Sequence, residues 1–227
     1  MPEIDVIILS YTKDLQYYGL TQRTINTLRA LNSQYSFNII IIETNKNLYD
    51  NGFVYDKCKV IIPNEDFNYN RFLNIGLENC KNEYVLISNN DIIFTQNSIA
   101  SMLQAAESSN AGSISPREPN WFQQQEFDAT NSEFIEGYEI GKHLTGWCLL
   151  IKKETLETIG KFDEKFKFWY QDNDYAECLK RNNIKHVIAL KSRVYHVNNS
   201  SHSLVDGKKL FELTHGLERV FKEKYGN

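Results

Sequence analysis

The 227-residue chain lacks the features that mark several classes of protein. It has no excess of positive charge, because 25 Lys and Arg stand against 29 Asp and Glu and give a formal net charge of −4. It has no long apolar run, and residues 37–42 fall far short of the ~20 residues that span a membrane. Glu3 and Asp5 interrupt any apolar start, which argues against a signal peptide. We therefore expect no nucleic-acid partner, no transmembrane segment, and a cytoplasmic protein or one peripheral to a membrane.

Cysteine and proline are also scarce, at four residues each. No C-x-x-C pair occurs, so neither a zinc ribbon nor a thioredoxin motif is indicated, and we expect four reduced thiols. No proline- or glycine-rich linker and no internal repeat divides the chain. Since 41% of the residues are hydrophobic, the chain can bury a core of useful size, and we interpret it as one compact domain.

The apolar pattern alternates between β-branched runs and helical periodicity, which predicts an α/β fold with a largely parallel sheet covered by helices. Strands are predicted at 4–9, 38–42, 58–62, 84–88, 112–115, 143–151, 185–190 and 194–197. Helices are predicted at 22–31, 71–80, 98–108, 154–159, 169–182 and 210–225. The last helix is amphipathic, and its apolar face suits either packing on the core or a homodimer.

Residues 116–141 have little periodicity. Long irregular segments of this kind are usually functional loops or disordered insertions, and the aromatic content favours a loop with exposed aromatic rings that contacts something. Its aromatic residues are Trp121, Phe122, Phe127, Phe134 and Tyr138.

Polar residues end several predicted strands, where ligands bind in open α/β sheets. These residues lie in the segments 10–12, 43–45 and 89–91 and at position 196. Asp91 is suited to hold a divalent cation, although Asn-Asn-Asp is also good turn chemistry. His196 is suited to a metal such as Mn²⁺ or to a structural role. Asp172 opens a helix, where a carboxylate either complements the helix dipole or serves as a general base.

Several segments stand in an order that is known from one enzyme family. They are the opening strand 4–11, the strand with its acidic residue at 41–45, N-I-G at 74–76, N-E-Y through N-N-D at 82–91, the central strand 143–152, G-K-F-D-E at 160–164, Q-D-N-D at 171–174 and V-Y-H at 194–196. Over nearly its whole length the chain resembles the family 2 glycosyltransferases.

The resemblance implies a GT-A fold, with a Rossmann-like, mostly parallel sheet flanked by helices in a single domain over residues 1–227. Residues 1–95 would form the nucleotide-binding half, and residues 96–227 the acceptor-binding half with its irregular loop. The implied reaction is the inverting transfer of a sugar, hexosyl or deoxyhexosyl, from a nucleoside diphosphate sugar to a hydroxyl of a glycan, lipid-linked sugar or protein. UDP is favoured slightly over GDP or dTDP.

The resemblance also assigns roles to residues. Asp91 and His196 would hold Mn²⁺ or Mg²⁺, and Asp172 would be the base that deprotonates the acceptor. The remaining donor and acceptor contacts would come from Ser10, Tyr11, Glu43, Asn74, Asn89, Asn90, Gly146 and Trp147.

Two residues depart from the family pattern. Asn89 stands where the first Asp of D-x-D is expected, and Gln171 stands where a Glu precedes the base. These changes motivate an alternative, a catalytically silent sugar- or nucleotide-binding relative. A sugar-phosphate nucleotidyltransferase is a weaker alternative, because residues 10–14 contain no glycine for the required loop. The chain has no Q-x-x-R-W motif, so a processive polysaccharide synthase is not expected.

Overall fold

The computed structural model describes residues 3–31, 35–197 and 207–226, and side chains are described for all of these except 207–215. The strands are β1 (Glu3–Ser10), β2 (Ser36–Glu43), β3 (Lys59–Ile61), β4 (Tyr84–Asn89), β5 (Ile92–Phe94), β6 (Ser113–Arg117), β7 (Phe134–Glu136), β8 (Cys148–Lys152) and β9 (His186–His196). The helices are α1 (Leu15–Arg29), α2 (Tyr69–Leu77), α3 (Ser98–Ser109), α4 (Lys153–Ile159), α5 (Gln171–Arg181) and α6 (Gly207–Tyr225).

The strands form one nine-stranded sheet in the order β3-β2-β1-β4-β8-β6-β9-β5, with β7 paired to β9. The first four strands are parallel, and β6 is parallel to β9. The other pairs, which involve β5, β7 and β8, are antiparallel. The α/β class and the helix-flanked sheet are thus confirmed. Antiparallel strands added beside a mostly parallel sheet are common in large α/β sheets.

Alternation along β1 divides the core into two layers. Val6 and Ile8 face the layer that contains α1 and α3, whereas Ile7 faces the layer that contains α2 and α5. Because each strand points successive side chains to opposite faces, a fully apolar strand has to be covered on both sides. The near-continuous apolar runs of the sequence therefore predicted this sandwiched position correctly.

Some predicted elements differ from those observed. The two strands predicted at 185–190 and 194–197 are one strand, β9, because it pairs along its length with β6, β7 and β5. The strand predicted at 143–151 begins only at Cys148. The helix predicted at 210–225 extends from Gly207, and the side chains of its predicted apolar residues before 216 lie outside those described.

The segment 116–141 is more ordered than the sequence predicted. It contains a short 3₁₀ helix and the strand β7. The expectation that its aromatic rings are exposed is wrong for Phe127, which is buried in a small cluster with Ile188 and Leu190. Phe122 is exposed as expected, at 69%.

Among the residues that the structure describes, every helix is too short or too polar to span a lipid bilayer.

Two glycines inside helices provide a matched test of the packing between helix and sheet. A Cβ at Gly76 of α2 would lie 2.8 Å from Ile7 Cγ2, whereas a Cβ at Gly19 of α1 would meet nothing within 4 Å. Gly19→Ala should stabilise the protein by about 0.5–1 kcal/mol, because alanine lowers the entropy of the unfolded chain. Gly76→Ala should destabilise it by about 1 kcal/mol, because crowding in a packed core exceeds that gain.

The measurement is chemical denaturation of the two variants and the wild type. Equal stabilisation by both substitutions would contradict the close approach of α2 to β1.

Candidate functional site

The parallel strands bring polar residues to one edge of the sheet. Ser10 pairs with Glu43 across β1 and β2, and Leu9 pairs with Asn89 across β1 and β4. The ends of these three strands are therefore adjacent. This confirms the sequence-based expectation that the polar strand ends cluster.

Glu43 anchors the loop that follows β1. Its carboxylate is fully buried and accepts hydrogen bonds from the Thr12 amide at 2.9 Å, the Thr12 hydroxyl at 2.7 Å and the Asn45 amide at 2.8 Å. Such a carboxylate fixes loop geometry, because its lone pairs are satisfied by the protein. The direct nucleoside contact assigned to Glu43 stays a prediction. Tyr11, in the loop that Glu43 anchors, is 49% exposed and therefore accessible to a ligand.

Ser10 and Asn90 are tied to helix α1 through one hydroxyl. The Thr21 Oγ1 atom lies 3.0 Å from Ser10 Oγ and accepts a hydrogen bond from Asn90 Nδ2, also at 3.0 Å. The backbone amide of Asn89 donates to the carbonyl of Trp147 at 2.8 Å. The region that was assigned to the donor is thereby connected to the segment that leads into β8.

Asp91 and His196 meet although 105 positions separate them in the sequence. The Asp91 Oδ1 atom lies 3.0 Å from His196 Nε2, and only 9% and 15% of the two side chains are exposed. The antiparallel pairing of β5 with β9 places Ile92 opposite His196 and so produces this meeting. The Trp147 ring stacks on the His196 ring at 5.5 Å, and thereby shields one side of the pair.

These two residues fit a divalent cation. Asp91 Oδ1 and His196 Nδ1 are buried, and apart from the contact between Asp91 and His196 neither atom has a hydrogen-bond partner among the described atoms. Neighbouring ligands of an octahedral ion with bonds of about 2.1 Å lie about 3 Å apart, which matches the observed separation of Oδ1 and Nε2. Within the described ranges, no three His, Cys, Asp or Glu side chains are grouped as a metal cage. A metal held here would need further ligands from a substrate or from water.

Asp172 occupies the first turn of α5, and its carboxyl group lies against the Cα of Gly146. A Cβ at position 146 would lie only 2.0 Å from Asp172 Oδ1, so no other residue fits there without displacing the carboxyl group. Burial raises the pKa of Asp172 to about 6, although a hydrogen bond from the Gly146 amide lowers it. Tyr69 of α2 donates a hydrogen bond to the Gly146 carbonyl at 3.3 Å. The site thus holds a carboxylate that is more basic than an ordinary Asp.

Asn74 of α2 binds the segment that precedes α5. Its side-chain oxygen accepts a hydrogen bond from the Phe162 amide at 2.9 Å, and its Nδ2 donates to the Phe162 carbonyl at 2.9 Å and to Glu164 at 3.0 Å. Asn74 is 1% exposed, and its side chain is hydrogen-bonded to other residues of the protein. Its donor contact stays a prediction.

Sequence reasoning assigned no individual role to three residues that organise the site, although Thr12 lies in the polar segment 10–12 that it marked. Thr12 and Tyr69 belong to no metal or catalytic motif, and their roles depend on partners far along the chain. Glu118 follows β6, is 5% exposed, and has its pKa raised by burial. It lies near enough to His196 for their charges to interact. Its position directly after a buried strand was the only available signal.

A comparison with models of known protein families identifies the family of this chain. The sequence matches the family described as Glycosyl transferase family 2 over residues 5–180. The chain belongs to glycosyl transferase family 2. A search of curated proteins found no match.

Membership of glycosyl transferase family 2 supports a glycosyl transfer function and agrees with the observed fold. The family generally uses a nucleotide-sugar donor and a divalent metal ion. The matched range includes Asp91 and Asp172 but ends before His196 and α6.

Gly146→Ala tests the contact between Gly146 and Asp172. The new methyl group has to displace the Asp172 carboxyl group, and a displacement of about 1 Å can reduce kcat by about 10²-fold. Nucleotide binding should remain, because Ser10 and Asn90 are held elsewhere. The measurements are steady-state rates and calorimetric nucleotide binding, with Gly19→Ala as the control. A Gly146→Ala enzyme with wild-type kcat would refute the assigned contact.

Proposed function

We propose that the chain is a metal-dependent, inverting glycosyltransferase. It moves a hexosyl or deoxyhexosyl group from a nucleoside diphosphate sugar, with UDP favoured, to an acceptor hydroxyl of a glycan, lipid-linked sugar or protein. The observation that supports this most strongly is the Asp172 carboxyl group packed against the Cα of Gly146, with its pKa raised to about 6 by desolvation. A base of this strength is ionised at neutral pH and still accepts a proton better than an exposed Asp.

Asp91 and His196 would hold Mn²⁺ or Mg²⁺. When bound, the ion supplies positive charge that stabilises the departing nucleoside diphosphate. The low exposure of both side chains, 9% for Asp91 and 15% for His196, strengthens any such electrostatic effect, because less water screens it.

The donor would lie along the ends of β1, β2 and β4. In this proposal the loop at Ser10 and Tyr11 contacts the base and ribose, and Glu43 holds that loop through Thr12. Asn89 and Asn90 lie next to the diphosphate. Trp147, stacked on His196, presents an apolar face to the sugar and limits access of water.

Asp172 would perform the proton transfer. The acceptor hydroxyl oxygen forms a bond to the anomeric carbon while its proton moves to the Asp172 carboxylate. The bond between that carbon and the diphosphate breaks at the opposite side, so the configuration at the anomeric carbon inverts. The backbone amide of Gly146 and the packing against its Cα orient the carboxylate for this step.

Asn89 and Gln171, the two departures from the family pattern, would affect the rate of sugar transfer. Asn89 removes one carboxylate near the metal, and Gln171 removes the acidic neighbour of the base. A like-charged neighbour would raise the pKa of Asp172 further, so Gln171 leaves burial as the main cause of its basicity. These substitutions favour the silent, ligand-binding relative as the alternative function.

Paired variants separate the two functions. Calorimetric titration with UDP, GDP and dTDP, each with Mn²⁺ and with EDTA, should reveal one nucleotide that binds in a metal-dependent way. Asp91→Ala should lose the metal dependence and the turnover. Asp172→Asn should keep nucleotide binding and lose turnover by at least ~10²-fold.

Metal-dependent binding without any turnover in the wild type would favour the silent relative. Binding that is unaffected by EDTA and by Asp91→Ala would exclude Asp91 from the metal site.

A further inference from the structure

The end of helix α6 is bound to the segment that carries Asp172. Lys224 Nζ lies 2.6 Å from Asp174 Oδ1 and 2.8 Å from Asp163 Oδ2. The Tyr225 hydroxyl lies 2.7 Å from Asp174 Oδ1, and the Phe221 ring packs on Tyr170 at 5.6 Å. We call Phe221, Lys224 and Tyr225 the C-terminal latch.

Lys224 forms ion pairs with two carboxylates that lie on either side of Asp172 in the sequence. Asp163 precedes Asp172 by nine residues, and Asp174 follows it by two within the first turn of α5. The Asp174 side chain is only 4% exposed. A carboxylate in that position needs its cation, because an unpaired buried charge is strongly unfavourable. The ion pairs therefore hold both ends of residues 163–174 against α6.

The backbone directly before the base adopts a conformation that needs external support. Tyr170 caps α5 with a φ of +64°, in the left-handed region that non-glycine residues rarely occupy. Such strain persists where the surroundings hold it in place. Phe221 contacts both Tyr170 and Phe166, and therefore lies against this turn.

The opposite side of the same segment is held by Asn70 of α2 and by Asn68, which caps the N-terminus of that helix. Asn68 and Asn70 donate hydrogen bonds to the carbonyls of Glu164 and Asp163, each at 2.8 Å. The segment is thus bound from two sides, and α2 belongs to the family-matched range whereas α6 lies beyond it. The second attachment is a property of this chain that the family match does not supply.

We infer that the C-terminal latch positions the Asp172 carboxylate for proton transfer, so that Lys224 is a positioning residue for the chemical step. The inference rests on the proposed function of Asp172 as the base. The latch binds α5 and the segment 163–170, whereas the donor region lies at the ends of β1, β2 and β4. Loss of the latch should therefore affect turnover and leave donor binding intact.

Lys224→Met tests the inference, because methionine keeps the length of the side chain and removes its charge. We expect kcat to fall by about ten- to a hundredfold while KM for the donor and calorimetric nucleotide binding stay at the wild-type values. Lys224→Arg should restore most of the rate. The matched control is Lys222→Met, since Lys222 lies on the same helix and pairs with Glu218 within it.

Hydrogen exchange provides a readout that does not depend on activity. In Lys224→Met, amides of residues 170–176 should exchange faster, whereas amides of β1 and β4 should keep their protection. If Lys224→Met does not fold, Tyr225→Phe removes only the hydroxyl that contacts Asp174 and should give the same pattern more weakly.

The outcomes distinguish the two proposals. Unchanged kcat and unchanged exchange in Lys224→Met would overturn the latch, and an inactive Asp172→Asn beside it would leave the proposed function intact. A fall in kcat together with an equal loss of nucleotide binding would also overturn it, because the effect would then be global. If the wild type itself transfers no sugar, the proposed function fails, and the role of the latch in proton transfer fails with it. Faster exchange confined to residues 170–176 in Lys224→Met would then show only that the latch stabilises the turn before α5.

Discussion

The contact between the Asp172 carboxyl group and the Cα of Gly146 constrains much of the surrounding structure. Only glycine permits this approach, because a Cβ would lie within 2.0 Å of the carboxyl oxygen. Burial raises the pKa of Asp172 to about 6, and the hydrogen bond from the Gly146 amide partly offsets that rise. Tyr69 donates a hydrogen bond to the Gly146 carbonyl, and Asn68 and Asn70, at the start of α2, bind the segment that precedes Asp172. The C-terminal latch holds that segment from the other side.

The sheet explains how two chemically different groups come together. Parallel pairing of β1, β2 and β4 brings polar strand ends to one edge. The antiparallel strands β5 and β8 then bring Asp91 and Trp147 to the same region, where both meet His196. The paired side chains of Asp91 and His196 and the Asp172 carboxyl group therefore flank adjacent residues, Trp147 and Gly146. This combination suits the transfer of a group from a phosphorylated donor to a hydroxyl group.

Features that depend on local pattern could be predicted from the sequence. The apolar run of β1 predicts a buried strand, and the polar residues after it predict a ligand-binding edge. Features that depend on distant partners could not. The burial of Phe127 requires contact with Ile188 and Leu190 on β9, some sixty positions later. The full hydrogen bonding of Glu43 and Asn74 within the protein depends in the same way on Thr12 and Phe162. Residue type identifies a polar group, but only the fold shows whether its partner is a ligand or the protein.

The pH dependence of stability tests the desolvated base most directly and requires no substrate. The pKa of Asp172 is raised in the folded state from 3.8 to about 6, so the folded protein binds more protons than the unfolded chain between these values. Wild-type stability should therefore fall, relative to Asp172→Asn, as the pH rises from about 4 to 6. The variant should gain at most about 3 kcal/mol over that window and keep a constant advantage above it. Denaturation of both proteins from pH 4 to 7 measures this difference. A difference that does not change with pH would contradict a carboxyl group of raised pKa at position 172.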